Sequence, residues 1–163
     1  MRAIFRATLT AVALSVSVPA FAAGGGGGGS SVDSPSFKAV DPNYASAKAM
    51  IEAKNYAGAM PLLQQVVAKD PKNADAYNLM GFATRKSGDP NGALQYYNTA
   101  LGIDPKHIGA HEYIGEAYLQ LDRLPEAEQH LARLDSLCTF GCTEYRELKA
   151  AVANYKAGKK PTN

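Results

Sequence analysis

From Val40 onward, residue types recur every 34 positions, and this period limits what the chain can fold into more than any other feature. Ala59, Ala93 and Ala127 share one register position, Leu63, Tyr97 and Leu131 another, and Val66, Ala100 and Leu134 a third. Asp70-Pro71 returns as Asp104-Pro105, and Gly81 returns as Gly115. One such match carries little weight. Several at one period, each with the residue type kept, mark copies of a single supersecondary unit. Such a unit cannot bury its apolar face alone, so the copies must stack.

The unit itself reads as two antiparallel helices. Gly88-Asp89-Pro90 and Asp122-Arg123-Leu124-Pro125 break the first helix from the second, and each turn puts a proline near the start of the new helix, where its missing donor costs little. Pro71 and Pro105 cannot continue the preceding helix and force the turn to the next unit. The spacing predicts helices over 43–54, 56–69, 73–87, 90–103, 107–121, 124–137 and 143–157, with Pro61 inside the second, which must start late or bend there. Small residues Gly81, Gly115, Ala93 and Ala127 allow close helix approach, and Met80, Ile114, Tyr97, Leu131 and Leu134 fill the space between units. Tyr145, Leu148, Val152 and Tyr155 recur at helical spacing and form the inner face of a last, capping helix.

The stretch from Ala74 to Pro105 is the most regular copy. Its Tyr77, Met80, Gly81, Ala93, Tyr97, Ala100 and Pro105 carry a resemblance to the tetratricopeptide repeat (TPR) family, which extends over residues 40 to about 138. The resemblance implies an all-α fold, an α-solenoid of about three helix-turn-helix units plus a C-terminal capping helix. The units are read as 40–73, 74–107 and 108–141, the capping helix as 143–157, and 159–163 as a disordered tail, the repeat domain as a whole covering 40–158. Asn43, Ser46 and Ala47 depart from the family pattern, which suits a terminal unit with one face in solvent.

The N-terminus follows a different logic. Arg2 and Arg6 precede an apolar run, Ala7 to Val18, and Pro19-Ala20-Phe21-Ala22 ends in the small-x-small pattern of a cleavage site. Residues 1–22 are expected to be a signal peptide, so the protein is expected to be exported to the periplasm. An uncleaved anchor is the competing reading, but the run is shorter than the roughly 20 apolar residues of a bilayer span. Residues 23–39 hold six consecutive glycines, Gly24 to Gly29, and read as a flexible linker. No Lys-Ser/Thr follows the run, which argues against a phosphate loop. Loss of Arg2 and Arg6 leaves 15 of 17 basic residues against 15 acidic ones, a near-neutral mature chain without general affinity for nucleic acid. Lys149, Lys156, Lys159 and Lys160 make a local basic cluster, read as a solvated helix end rather than a docking patch.

Candidate chemistry is sparse. Cys138 and Cys142 are the only cysteines. In an exported protein they are expected to form a disulfide, with Gly141 easing the turn; thiol exchange or a soft metal such as Cu(I) is the alternative, and two unpaired thiols the remaining one. His107 and His111 lie four apart on one helical face, the spacing that lets two imidazoles share an ion, but His111 takes the aromatic slot of Tyr77 and reads as a core residue. His130 is about 12 Å of helix from Cys138, too far to share a metal. No metal site and no cofactor are expected. The chain has no Gly-x-Ser-x-Gly elbow, no His-Glu-x-x-His and no phosphate loop, so no catalytic residue is assigned and no enzyme is expected.

What the resemblance implies is a groove lined by the first helix of each unit. By helical phase, the side chains free to face it are Tyr44, Lys48 and Glu52, then Asn78, Phe82, Arg85 and Lys86, then Glu112, Tyr113, Glu116 and Gln120. Exposed Phe82 and Tyr113 among charges suit a protein or peptide partner. The competing interpretation is that these are ordinary surface residues packing sideways. Stable membrane insertion of the mature chain is not expected, and the oligomeric state is left open. The chain therefore reads as a non-catalytic exported scaffold or adaptor; the alternative is a thiol-disulfide or copper-handling accessory protein acting through Cys138 and Cys142.

Overall fold

The computed structural model describes residues 41–161. The expected signal peptide and linker lie outside the described residues. Seven helices follow one another: α1 (Pro42–Glu52), α2 (Tyr56–Lys69), α3 (Ala74–Lys86), α4 (Pro90–Ile103), α5 (Ile108–Gln120), α6 (Leu124–Leu137) and α7 (Thr143–Lys156). No strand occurs among the described residues. Each helix lies within two residues of where the periodicity puts it, and α2 begins at Tyr56 and runs through Pro61.

Local chemistry explains where the helices start. Asp41, Asn55, Asn73 and Asp89 each accept a backbone N–H of the first turn on a side-chain oxygen, at 2.8 to 3.0 Å. At α5 the cap is an imidazole: Nδ1 of His107 accepts from the Ala110 N–H at 3.0 Å. At α7 it is a sulfur, Sγ of Cys142 accepting from the Tyr145 N–H at 3.4 Å. Thr143 is the first residue of α7, as the spacing predicts, and its Oγ1 accepts from Arg146.

The turns within units keep the 34-residue period in their backbone. Lys54, Gly88 and Asp122 occupy equivalent positions, and all three are left-handed, with φ of 58°, 98° and 60°. Glycine meets that requirement without strain in the middle unit, whereas lysine and aspartate do not in the outer two. Asp122 is compensated by the Tyr155 hydroxyl, which donates to it at 2.8 Å, and by Lys160 at 2.6 Å. Lys54 has no such compensation among the contacts of its side chain.

Packing couples one unit to the next. Tyr97 of α4 is fully buried against α3, and a Cβ on Gly81 would sit 2.5 Å from its ring. Gly115, the equivalent glycine, meets a different partner: Leu148 of α7, 2.6 Å from where a Cβ would be. The capping helix thus takes the place that the shorter Leu131, Tyr97's equivalent, leaves open. Leu119, Ala127, Leu134, Leu148 and Val152 form the last core cluster around this joint. Beyond sequence neighbours, α1 touches α3, α3 touches α5 and α5 touches α7, whereas none of the even-numbered helices touches another. The odd helices therefore form the tighter, inner layer.

Two substitutions should move stability in opposite directions. Gly81→Ala should cost about 1–3 kcal/mol, because a fully buried Tyr97 ring cannot move aside. Lys54→Gly should gain about 1 kcal/mol by relieving the left-handed backbone. Urea unfolding of both variants measures the contrast.

Candidate functional site

The inner layer is where the expected groove residues meet, and it is a seam more than an open floor. Three rungs join α3 to α5. Near the helix N-termini, the Asn78 amide lies over Gly109, where a Cβ would be 3.2 Å from Nδ2. One turn on, the Phe82 and Tyr113 rings pack at 4.9 Å between centroids. A turn further, Nη2 of Arg85 reaches Oε2 of Glu116 at 2.6 Å. The guanidinium also lies 5.6 Å from the Phe82 ring centroid and 5.7 Å from that of Tyr113, and its Nε donates to the Tyr97 hydroxyl at 3.4 Å. Tyr56 extends the aromatic row, 6.2 Å from Phe82.

Five expectations about exposure are corrected by this seam. Asn78, Arg85 and Glu112 are among the polar side chains expected to stand free in the groove, yet they are 7%, 1% and 3% exposed. The reason is the direct contact between successive odd helices, which turns the face that helical phase leaves unassigned into a helix–helix interface. Phe82 and Tyr113 are half-buried rather than exposed; Tyr44 and Glu116 are likewise partly covered, and Lys48 and Glu52 stay exposed. Oδ1 of Asn78 has no hydrogen-bond partner among the described residues.

Between α5 and α7 the seam is acidic. Burial, a hydrogen bond shared with Glu147 and the nearby charges of Glu116, Glu147 and Glu144 push the Glu112 carboxyl up to about 9. At neutral pH Glu112 is therefore protonated. Tyr113 is raised to about 12, chiefly by burial and then by Glu112 and Glu116.

The histidines pair differently from the sequence reading. His107 is committed to capping α5, and its Nε2 lies 3.0 Å from Asp75 of α3. His111 is buried, as a core histidine should be, but its Nδ1 meets Nδ1 of His130 on α6 at 2.9 Å, while Nε2 faces the Pro105 carbonyl at 3.1 Å. A carbonyl only accepts, so Nε2 of His111 carries a proton; with both rings kept neutral by burial, Nδ1 of His111 accepts and Nδ1 of His130 donates. Burial, then the neighbouring His111, lowers His130 to about 4. This contact joins helices of different phase, so no spacing rule along one helix could reveal it. No group of three or more His, Cys, Asp or Glu side chains suited to a metal occurs among the described residues.

Cys138 and Cys142 are joined by a disulfide with Cα atoms 5.5 Å apart. The C-terminal lysines do have acidic neighbours, supplied by α6 and the turn before it: Lys156 meets Glu128 at 2.5 Å and Lys160 meets Asp122 at 2.6 Å.

Comparison with known proteins places this arrangement. Two family models described as tetratricopeptide repeat match residues 44–108 and 85–152. Protein O-mannosyl-transferase Tmtc3 of Drosophila melanogaster is 34% identical over 76 residues, which is 47% of this chain and 8% of that protein. The chain thus spans less than a tenth of the curated relatives it matches. Among solved structures, MamA of Desulfovibrio magneticus is 27% identical with a TM-score of 0.56, covering 58% of this chain and 54% of that one. The Yersinia enterocolitica type III secretion chaperone SycD, in complex with a peptide of the translocator YopD, is 22% identical with a TM-score of 0.61, covering 71% and 88%.

Glu112 and His130 give a pH dependence with a definite sign. Glu112, raised from 4.5 to about 9, holds a proton in the folded state that the unfolded chain lacks, so its contribution is lost as pH rises through that interval. His130, lowered from 6.5 to about 4, contributes above 6.5 and loses that contribution as pH falls. Their slopes oppose each other between 4.5 and 6.5, and only the Glu112 slope acts from 6.5 to 9. Thermal unfolding should therefore show stability declining above pH 6.5, and Glu112→Gln, which can still donate to Glu147, should flatten that decline.

Proposed function

The chain belongs to the tetratricopeptide repeat family, and from that premise we propose that it is a non-catalytic scaffold holding a protein or peptide partner along its inner helices. The observation that carries the reading is the α3–α5 seam: Phe82 and Tyr113 packed at 4.9 Å, with Arg85 and Glu116 locked beside them at 2.6 Å. Rings held in place by a buried ion pair lose little entropy on docking, and aromatic anchors supply much of the binding energy in protein recognition. Exposed Lys48 and Glu52 on α1 add charge at one end of the same layer. SycD, of the same fold, is complexed with a translocator peptide, which accords with a segment of a partner as the ligand here. Export to the periplasm forms part of the proposal and rests on the Arg2 to Ala22 segment of the sequence. Mass spectrometry of the purified protein should find its N-terminus at Ala23; an intact Met1 to Ala22 would remove export from the reading.

A second reading, thiol-disulfide exchange, draws on the position of the Cys138–Cys142 bridge in an exposed loop. One pair of variants separates the two. Cys138→Ser with Cys142→Ser should lower stability by about 2 kcal/mol while partner capture persists; loss of function in a folded variant would favour the thiol reading instead. For the groove, a photo-crosslinking residue at position 48 or 82 should trap the partner in the exporting cell, and one at exposed position 129 on outer helix α6 should not. Equal adducts at all three positions, or adducts at 129 alone, would refute the inner-layer site.

A further inference from the structure

The Cys138–Cys142 bridge joins two helix ends of opposite polarity. Cys138 is the C-cap of α6, whose last turn holds Asp135 and no basic residue, so its sulfur lies at the negative pole of that helix. Cys142 is the N-cap of the 14-residue α7, and its Sγ already accepts the Tyr145 N–H at 3.4 Å. Two charged side chains occupy the first turn there. Arg146 donates to Thr143 at 3.1 Å beside the cap, whereas Glu144 adds to the acidic seam around Glu112. When the bridge opens, a negative charge is therefore disfavoured on Cys138 and held on Cys142.

What can reach the bridge is limited by its loop. Between the cysteines Phe140 is fully exposed, the one large hydrophobic side chain so placed among the described residues. The turn is closed by left-handed Gly141, at φ 76°, whose N–H donates to the Cys138 carbonyl at 2.8 Å. Cys138 and Cys142 are half-buried, whereas Thr139, Phe140 and Gly141 stand out from the surface, and none of these residues is charged. A thiol fixed on a folded surface meets this convex loop before it meets a sulfur. One on a flexible chain reaches past it, and an apolar chain gains by lying against the Phe140 ring.

We propose, extending the thiol-disulfide reading and resting on it, that the bridge oxidises a pair of cysteines in an unfolded apolar protein segment, with Phe140 holding the segment and Cys142 as the leaving sulfur. A thiolate of the segment attacks Sγ of Cys138; a segment–Cys138 disulfide forms, the Cys138–Cys142 bond breaks, and its electron pair stays on Sγ of Cys142 under the Tyr145 N–H. The segment's second thiolate then attacks its own first sulfur, closing a disulfide within the segment and releasing Cys138, which takes a proton from water. The segment gives up two electrons and two protons; the chain keeps both electrons and one proton, and the other proton passes to solvent.

Two synthetic peptides test this, each with two cysteines, one flanked by leucines and the other by serines. Each is mixed with the full chain, and opening of the bridge is followed by alkylation and mass spectrometry. The leucine peptide should open it at least about five-fold faster, the worth of one aromatic contact. Phe140→Ala should abolish that preference while opening by dithiothreitol keeps its rate, because the fully exposed ring props no other side chain. In Cys138→Ser, alkylation of Cys142 should have its midpoint about one pH unit below that of Cys138 in Cys142→Ser, where serine keeps the helix cap. Equal rates with the two peptides, a preference that survives Phe140→Ala, a slowing that dithiothreitol shares, or a lower midpoint at Cys138 overturns the inference and leaves the thiol-disulfide reading standing. A native bridge that neither peptide opens, and that dithiothreitol opens only in urea, overturns both.

Discussion

Tyr97 seated on Gly81 is the contact on which fold and site both depend. The ring is fully buried, and there is no space for a Cβ beneath it, so α3 and α4 are held at a separation that only glycine permits. The same side chain then reaches forward. Its hydroxyl accepts from Arg85, whose guanidinium is placed against Phe82, Tyr113 and Glu116. One residue thus translates the packing within a unit into the arrangement of side chains between units. Burial raises its phenol well above the ordinary tyrosine range, so it stays neutral and keeps this role at any pH the fold survives.

The helices were legible in the sequence because repetition multiplies weak local signals. Asp70, Pro71, Gly81 and Ala93 each say little alone, but their return 34 residues on as Asp104, Pro105, Gly115 and Ala127 leaves few alternatives. Phase along a helix also identified which side chains point inward. It could not say whether the inward face is open or shut, because that depends on how closely α1, α3, α5 and α7 approach one another. Asn78, Arg85 and Glu112 were misjudged for that single reason. The His111–His130 pair and the use of Leu148 to close Gly115 were hidden for a related one: each joins helices whose relative rotation no single-helix pattern encodes.

The electrostatics of the inner layer change along its length. At the α3–α5 seam a cation and an anion neutralise each other with little water present, Arg85 and Glu116 being 1% and 23% exposed at the side chain. At the α5–α7 seam no cation among the described residues reaches Glu112, and a proton on its carboxyl performs the neutralisation instead. The first solution is indifferent to neutral pH, whereas the second is not. Along the layer, a fixed ion pair thus lies at the middle and a titratable carboxyl towards the end.

Among the described residues the helices run from one odd-numbered helix to another, four in the inner layer and three in the outer. In a spiral of complete repeats, every inner helix leans on an outer one. Among the described residues α7 has no outer mate of its own and packs against α5 and α6. The floor of the array thus projects half a repeat beyond its own wall. That overhang leans on fewer helices than the regular middle, is tethered at its root by the Cys138–Cys142 bridge, and should open locally before the middle does.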